Sequence, residues 1–200
     1  MPSDIAALST DPAQHRHRGR LLEGMAVAVA RKGYADTTIA DIVGEASVSR
    51  RTFYEHFGTK AECLVALYEA ASHNALKVLR QAVDPGRDWE EQAERAIGAY
   101  LAAMASDPVL LRTLFIEILH LGPEGLAARR RSNEEIAAYM VAVVNGGRGG
   151  RRVSPQMAMA VVGGIHELVL QAIEDGKGDE LPQLTRTAAE LVKAVARTQR

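Results

Sequence analysis

The stretch TTIADIVGEASVSRRTFYEHFGTK, residues 37–60, predicts two short helices joined by a tight turn. Thr38 can accept hydrogen bonds from the backbone amides at the start of a helix of about two turns. Asp41, three residues later, can complete a capping box, with aspartate in place of the usual glutamate. Residues 46–48 are expected to form the turn, and Ser49 can cap the second helix in the same way. Two short helices joined in this manner form a helix-turn-helix.

The second of these helices has two different faces. Phe53 and Phe57 are four residues apart, so both can point inward against the preceding helices. The opposite face carries Arg50, Arg51, Tyr54 and Glu55. A recognition helix needs this division, because one face must be buried while the other offers side chains to the DNA major groove.

The remaining sequence also predicts helices. Apolar residues recur at helical spacing between Gly, Pro and capping residues, and no stretch of useful length alternates as a strand would. The glycine-rich stretch 145–152 is expected to be a flexible connector, because it lacks the context of a phosphate-binding loop. The sequence therefore predicts an all-α fold of about nine helices, near residues 18–32, 38–45, 49–57, 60–83, 88–106, 108–121, 123–144, 155–175 and 182–198.

The composition is that of a globular chain with a sizeable core, since 47% of the 200 residues are hydrophobic and 24% are charged. The single cysteine, Cys63, excludes an intramolecular disulfide, and we expect a small buried hydrophobe there rather than a redox sensor. We expect a cytoplasmic protein with no membrane partner, because the sequence has no apolar run of spanning length and its acidic N-terminus is unlike a signal peptide. The net charge of −1 conceals a surplus of three bases within residues 12–60, which is compatible with nucleic-acid contact.

Residues 20–60 resemble the DNA-binding domain of the tetracycline-repressor-like (TetR) family of transcriptional regulators. The matching residues, in order and without gaps, are Gly33-Tyr34, Thr37-Thr38, Asp41-Ile42, Ala46, Val48-Ser49, Thr52-Phe53-Tyr54, His56-Phe57 and Lys60. The resemblance implies a three-helix head at 16–60, a helical ligand-binding and dimerisation domain at 61–200, and a disordered tail at 1–15. It further implies a dimeric regulator, more often a repressor than an activator, that binds a palindromic double-stranded DNA operator and is released by an unknown small molecule.

The resemblance also assigns the DNA contacts. Thr38, Ser49 and Lys60 would lie on phosphates, and their positions at the beginnings of three helices suit an anion. The residues that would reach base edges or nearby backbone are Arg50, Arg51, Thr52, Tyr54 and His56. The two arginines could instead be merely solvated, and His56 could be a packing or capping residue. Arg16, Arg18 and Arg20 could form an arm on the DNA or an idle tail.

Three residues depart from the family's usual pattern. Ser47 stands where glycine is common, and a positive φ there would cost about 1 kcal/mol. Gly24 and Val29 replace a better helix former and a bulkier side chain in the first helix. These replacements suggest a less tightly packed head.

The last two predicted helices each carry an apolar stripe that must be buried against another surface. The family arrangement, a four-helix bundle with a second copy of the chain, would provide it. The predicted interface residues are Met157, Val161, Ile165, Leu168, Leu184, Ala188, Leu191 and Val195. Alternatively, these stripes pack within one chain.

A ligand pocket is expected among the middle helices. The candidate lining residues are Trp89, Tyr100, Met104, Phe115, His120, Tyr139 and Met140, although each could be ordinary core. His166 is interpreted as a satisfied interface histidine rather than a metal ligand, and Arg129, Arg130 and Arg131 as a solvated helix face.

The sequence lacks the motifs of common enzyme classes. It contains no Gly-x-Ser-x-Gly, no His-Glu-x-x-His and no glycine-rich nucleotide fingerprint, and its six histidines are scattered. We therefore expect no catalytic residues, no metal and no cofactor. The alternative function is a helical ligand-binding or interaction protein whose head no longer binds DNA.

Overall fold

The computed structural model describes residues 12–84, 86–146 and 153–198, and this part of the chain contains helices and no strand. The helices are α1 (Pro12–Asp36), α2 (Ile39–Ala46), α3 (Arg50–His56), α4 (Lys60–Ala82), α5 (Trp89–Ala105), α6 (Pro108–Phe115), α7 (Pro123–Asn145), α8 (Pro155–Glu174) and α9 (Thr185–Thr198). Two short 3₁₀ helices, Glu117–Leu121 and Gly178–Leu184, lie between them. The predicted all-α fold is confirmed.

Some boundaries differ from the prediction. The first helix begins at Pro12, so residues 12–15 of the expected tail are helical, whereas residues 1–11 lie outside the described residues. It breaks where expected, at Gly33, whose φ of 75° is not helical. The predicted helix 108–121 is instead two elements, since α6 ends at Phe115 and a 3₁₀ helix follows over Glu117–Leu121. Of the glycine-rich connector, residues 147–152 lie outside the described part.

The chain divides into two compact units between Leu67 and Tyr68, and α4 contributes residues to both. In the first unit α1 packs closely on α2. A Cβ atom added at Gly24 would lie 2.6 Å from the carbonyl oxygen of Ile42, so only glycine permits this approach. The inference of a loosely packed head from Gly24 is therefore wrong: the residue marks a close helix contact rather than a weak helix.

Ion pairs also join the first two helices. Lys32 lies 2.6 Å from Asp41, and Arg31 pairs with Glu45. Cys63 is fully buried and its thiol lies 3.9 Å from the carbonyl of Leu21. Burial raises the pKa of the Cys63 thiol to about 12, so this group behaves as the predicted small hydrophobe.

The second unit has two apolar clusters. One gathers around Leu101, Val169 and Leu181, and the other around Ala158 and Val192. These clusters hold α5 against α9 and α7 against α8. They fix the positions of the cavities described below.

Helix α8 is the one helix among the described residues that is long and apolar enough to cross a bilayer by length and composition. Its mean hydropathy is 1.3, and 28% of that apolar window is buried. Helix α8 contains no uninterrupted apolar run of spanning length, so the sequence did not predict a span here. A helix that packs in a protein interface satisfies the same criterion.

Candidate functional site

The turn between α2 and α3 is held in a left-handed conformation. Ser47 has φ 50° and ψ 47°, which confirms that a non-glycine residue occupies a glycine-type position. The backbone N–H of Val48 donates to the carbonyl of Val43 at 3.1 Å, and Arg20 donates through Nη2 to the carbonyl of Ser47 at 2.9 Å. These bonds fix the angle at which α3 leaves the turn.

The N-terminus of α2 has the predicted capping box. The backbone N–H of Asp41 donates to Thr38 Oγ1 at 3.2 Å, and the backbone N–H of Thr38 donates to Asp41 Oδ2 at 2.9 Å. The ammonium of Lys32, followed by the hydrogen bonds from Thr38, holds the pKa of Asp41 well below its usual range. An ionised carboxylate thus already occupies this helix end, and a phosphate contact at Thr38 stays a prediction.

Helix α3 has the predicted buried and exposed faces. Phe53 is fully buried and Phe57 nearly so, whereas Arg50, Arg51 and Tyr54 are exposed. The Arg51 guanidinium lies 3.1 Å from the Glu55 carboxylate, one helical turn away. The helix therefore presents two guanidinium groups and an aromatic ring to solvent.

The cap of α3 is formed by the two hydroxyl residues at its start. Ser49 Oγ accepts from the backbone N–H of Thr52 at 3.0 Å and lies 2.9 Å from the Thr52 hydroxyl. Ser49 is exposed and Thr52 is half-buried. A phosphate contact at Ser49 and a base contact at Thr52 remain predictions.

His56 is half-buried beside the Phe57 ring, with ring centroids 6.3 Å apart. Burial, followed by the nearby charges of His17 and Arg18, lowers the pKa of His56 below its usual value. The imidazole is therefore neutral at pH 7. It can offer a hydrogen bond to DNA but no positive charge.

Lys60 has a structural function that the sequence analysis missed. Its ammonium donates to the carbonyl oxygens of Tyr34 at 2.9 Å, Ala35 at 3.1 Å and Thr37 at 2.8 Å. It also lies 4.4 Å from the centroid of the Tyr34 ring. Because an ammonium has three N–H donors, all are used, and Lys60 ties the start of α4 to the end of α1. The proposed phosphate contact stays a prediction.

The basic residues before the head do not form an extended arm. Arg16, Arg18 and Arg20 all belong to α1. The Arg18 guanidinium lies 5.6 Å from the centroid of the Phe57 ring, and Arg20 binds the turn as described above. Two of the three arginines thus stabilise the head, where the sequence analysis expected an arm or an idle tail.

Three of the candidate ligand residues, Tyr100, Met104 and Phe115, line one pocket of the second unit. The Tyr100 hydroxyl lies 3.0 Å from His166 Nε2, and the Phe115 ring meets His166 edge-on. The interpretation of His166 as an interface histidine is wrong, since this residue is buried inside the unit. Burial, followed by the charge of Arg129, lowers the pKa of His166 to about 4. Its spacing from buried Val162 and Val169 could have indicated an inward orientation.

The same pocket contains polar residues that were not predicted. Tyr68, Ser72, Ser132 and Arg129 line it. Burial raises the pKa of Tyr68, and the nearby Ser132, Ser72 and Arg129 side chains act in the opposite direction. The expectation that Arg129 is solvated is wrong, because its side chain is half-buried in this pocket, while Arg130 and Arg131 are exposed. We call these residues, together with Tyr100 and His166, the polar pocket.

A second cavity, of about 90 Å³, is lined by aliphatic side chains together with Tyr139 and Met140. We call it the apolar cavity. Trp89 is buried among Ala93 and Val192 but lines neither space. His120 is exposed on the first 3₁₀ helix, 3.5 Å from Glu117, and lines neither of these two spaces, so its assignment to a ligand pocket stays a prediction.

The predicted dimer residues fall into two groups. Val161 and Ala188 are buried within the chain, so they cannot meet a partner, and their assignment is corrected. The other six are half-buried, namely Met157, Ile165, Leu168, Leu184, Leu191 and Val195. A Cβ at Gly163 would meet nothing within 4 Å, so α8 has open space on this side.

The described residues contain no group of three His, Cys, Asp or Glu side chains that could hold a metal ion. The candidate functional sites are the exposed basic and aromatic face of α3 in the first unit, and the polar pocket and the apolar cavity in the second unit.

Comparison with known proteins identifies the first unit. Residues 21–67 match the sequence profile described as "Bacterial regulatory proteins, tetR family". The first unit thus carries a segment of the TetR family. This match includes the capping box, the turn, α3 and Lys60, which are the TetR features discussed above.

Two curated relatives are described as HTH-type transcriptional regulators. The HTH-type transcriptional repressor SCO4008 of Streptomyces coelicolor is 29% identical over 129 residues, which is 64% of each chain. The HTH-type transcriptional activator FasR of Mycolicibacterium smegmatis is 26% identical over 98 residues, 49% of this chain and 45% of that protein. The chain thus spans less than two thirds of the length of these relatives.

A solved structure extends the likeness beyond the TetR head. The transcriptional regulator FadR from Bacillus subtilis, crystallised in complex with stearoyl-CoA, matches with a TM-score of 0.76 and 16% identity. The match covers 87% of this chain and 96% of FadR. At this identity the comparison establishes a shared fold.

Proposed function

We propose that the chain is a cytoplasmic, ligand-responsive transcriptional regulator that binds a palindromic DNA operator as a homodimer. The observation that carries this proposal is the exposed face of α3. Arg50, Arg51 and Tyr54 face solvent, with Tyr54 60% exposed, while Phe53 anchors the opposite face. Two guanidinium groups beside an exposed aromatic ring form a surface suited to nucleic acid.

Arg51 is the leading candidate for base recognition. A guanidinium can donate two hydrogen bonds to O6 and N7 of guanine in the major groove. The ion pair with Glu55 holds Arg51 along the outer face of α3. Such an exposed pair contributes only about 0–1 kcal/mol, so a base can replace Glu55 as the partner of Arg51 at little cost.

The uncovered side of α8 supports a homodimer. The helix is strongly apolar, yet most of its apolar window is not buried by its own chain. The half-buried Leu168 and Leu191 and the open space at Gly163 could pack against the same surface of a second copy. A two-fold dimer matches a palindromic operator, because each copy reads one half-site.

The two spaces of the second unit support a response to a small molecule. FadR was crystallised with a bound ligand, which indicates that this fold can hold one. A ligand that favours a state with lower DNA affinity must weaken DNA binding by the same factor by which DNA weakens ligand binding, typically about 1–3 kcal/mol. Repression is the proposed output, in line with the relative SCO4008, although FasR is an activator.

The test is genomic selection of DNA fragments bound by the purified protein, followed by titration of an enriched fragment. Arg51→Ala should lose about 1–3 kcal/mol on that fragment and relax one position per half-site. Arg130→Ala removes another exposed arginine, from α7, and is the matched control, which should bind as the wild type does. If no fragment is enriched at low salt, the alternative holds: a helical ligand-binding or interaction protein whose head no longer binds DNA.

A further inference from the structure

The polar pocket contains an unneutralised positive charge. Arg129 forms no ion pair with any carboxylate in the described part of the chain, whereas Arg131, two residues on, lies 2.8 Å from Glu69. No aspartate or glutamate lines the polar pocket. Partial burial removes water from the guanidinium, and no carboxylate nearby compensates for this cost. Binding of an anion at this position would therefore be favourable.

The other polar groups of this pocket are uncharged at neutral pH. Burial keeps the pKa of His166 near 4, and burial also raises the pKa values of Tyr68 and Tyr100. Arg129 alone therefore sets the sign of the charge. The hydroxyls of Tyr68 and Ser132 add donors beside it, since a hydroxyl can rotate to donate to an anion.

The apolar cavity adjoins this charge. Ile136 lines both the polar pocket and the apolar cavity, so one side chain separates or joins the two spaces. The cavity is surrounded by aliphatic groups such as Val143 and Val162, which would dehydrate a hydrocarbon chain. A groove of about 250 Å³ shares Tyr68, Ser72 and Ser132 with the polar pocket and offers a route from the surface.

We infer that the effector is an aliphatic carboxylate whose charged group lies on Arg129 and whose hydrocarbon chain enters the apolar cavity past Ile136. This inference rests on the proposed function, since it names the ligand of that regulator. A guanidinium binds a carboxylate through two parallel hydrogen bonds, which fits a single charge at the end of a chain. The cavity of about 90 Å³ is smaller than a 150 Å³ cavity that holds benzene, so a chain of modest length is expected.

The experiment is calorimetric titration of the full chain with butanoate, hexanoate, octanoate and dodecanoate. Affinity should rise roughly fourfold per methylene until the apolar cavity is full, and then stop rising. Arg129→Gln should weaken octanoate binding about tenfold or more, because a charge-assisted hydrogen bond is lost. Arg130→Gln, the neighbouring exposed arginine, is the matched control and should bind octanoate normally. The inference is overturned if octylamine or octanol binds as tightly as octanoate, or if Arg129→Gln binds octanoate unchanged.

A second variant keeps the test independent of the folding of Arg129→Gln. Val143→Phe should fill part of the apolar cavity, so octanoate should lose its advantage over butanoate while butanoate binding is retained. If the chain-length preference is unchanged, the hydrocarbon chain does not lie in the apolar cavity. If octanoate fails to bind but DNA fragments are still enriched, the ligand class is wrong and the proposed function stands. If octanoate binds and no DNA is enriched, the ligand class stands and the proposed DNA-binding function is wrong.

Discussion

Gly24→Ala should destabilise the head, although the same change in an open helix would stabilise it. The added Cβ would lie 2.6 Å from the carbonyl oxygen of Ile42, 2.9 Å from the backbone nitrogen of Ala46 and 3.0 Å from the Ala46 Cβ. None of these atoms can rotate away, so α1 and α2 must move apart. Overpacking of this kind costs about 1–3 kcal/mol, against a gain of about 1 kcal/mol from replacing glycine in a helix. We expect a net loss of up to about 2 kcal/mol.

The assay is amide hydrogen exchange in the full chain, read by mass spectrometry on peptides from α1 and α2, because the two compact units need not unfold together. Gly19→Ala and Gly44→Ala are the matched controls, since a Cβ at either position meets nothing within 4 Å. Both should slow exchange in the head or leave it unchanged. If Gly24→Ala protects the head as well as Gly19→Ala does, the close approach of α1 to α2 does not limit the packing of this helix pair.

Four further predictions concern single residues. Ser47→Gly should stabilise the head by up to about 1 kcal/mol by relieving the left-handed backbone, and faster exchange in α2 and α3 would contradict the strain argument. Lys60→Ala should destabilise the head by about 1–3 kcal/mol through loss of its bonds to three carbonyls; unchanged protection with weaker DNA binding would make Lys60 a phosphate contact alone. The depressed pKa of Asp41 contributes stability that is present above the ordinary aspartate value of about 4 and is lost as the pH falls below it, so Asp41→Asn should flatten the acid limb of a head-specific exchange profile. Leu191→Glu should give monomers by light scattering with the helical signal retained, and a fully dimeric variant would exclude this part of α9 from the interface.

The local features of the head could be predicted from the sequence because their causes lie within a few residues. Thr38 and Ser49 cap the helices that follow them, and Phe53 faces inward at the spacing that a helix requires. The positive φ of Ser47 was indicated by the resemblance, since the family usually has glycine at this position of the turn. Each of these properties depends on the chain immediately around it.

Features that depend on packing could not be predicted in this way. Lys60 binds carbonyls that lie 23 to 26 residues earlier, and Tyr100 binds His166 across 66 residues. Gly24 has the same low helix propensity whether it lies on an open helix face or in a close helix contact. From the sequence it was therefore interpreted as a sign of a loosely packed head. Only the distance to α2 reveals that the missing side chain makes the contact possible.

The contacts described above that orient α3 lie in the first unit. Phe53 and Phe57 are buried there, Arg20 holds the turn, and Lys60 secures the end of α1. The polar pocket and the apolar cavity are lined by residues of the second unit. The residues that would contact a ligand in these spaces therefore differ from the residues named above that hold α3. Helix α4 contributes residues to both units and has no internal glycine or proline between Lys60 and Ala82, so it is a continuous element through which a ligand in the second unit can act on the first.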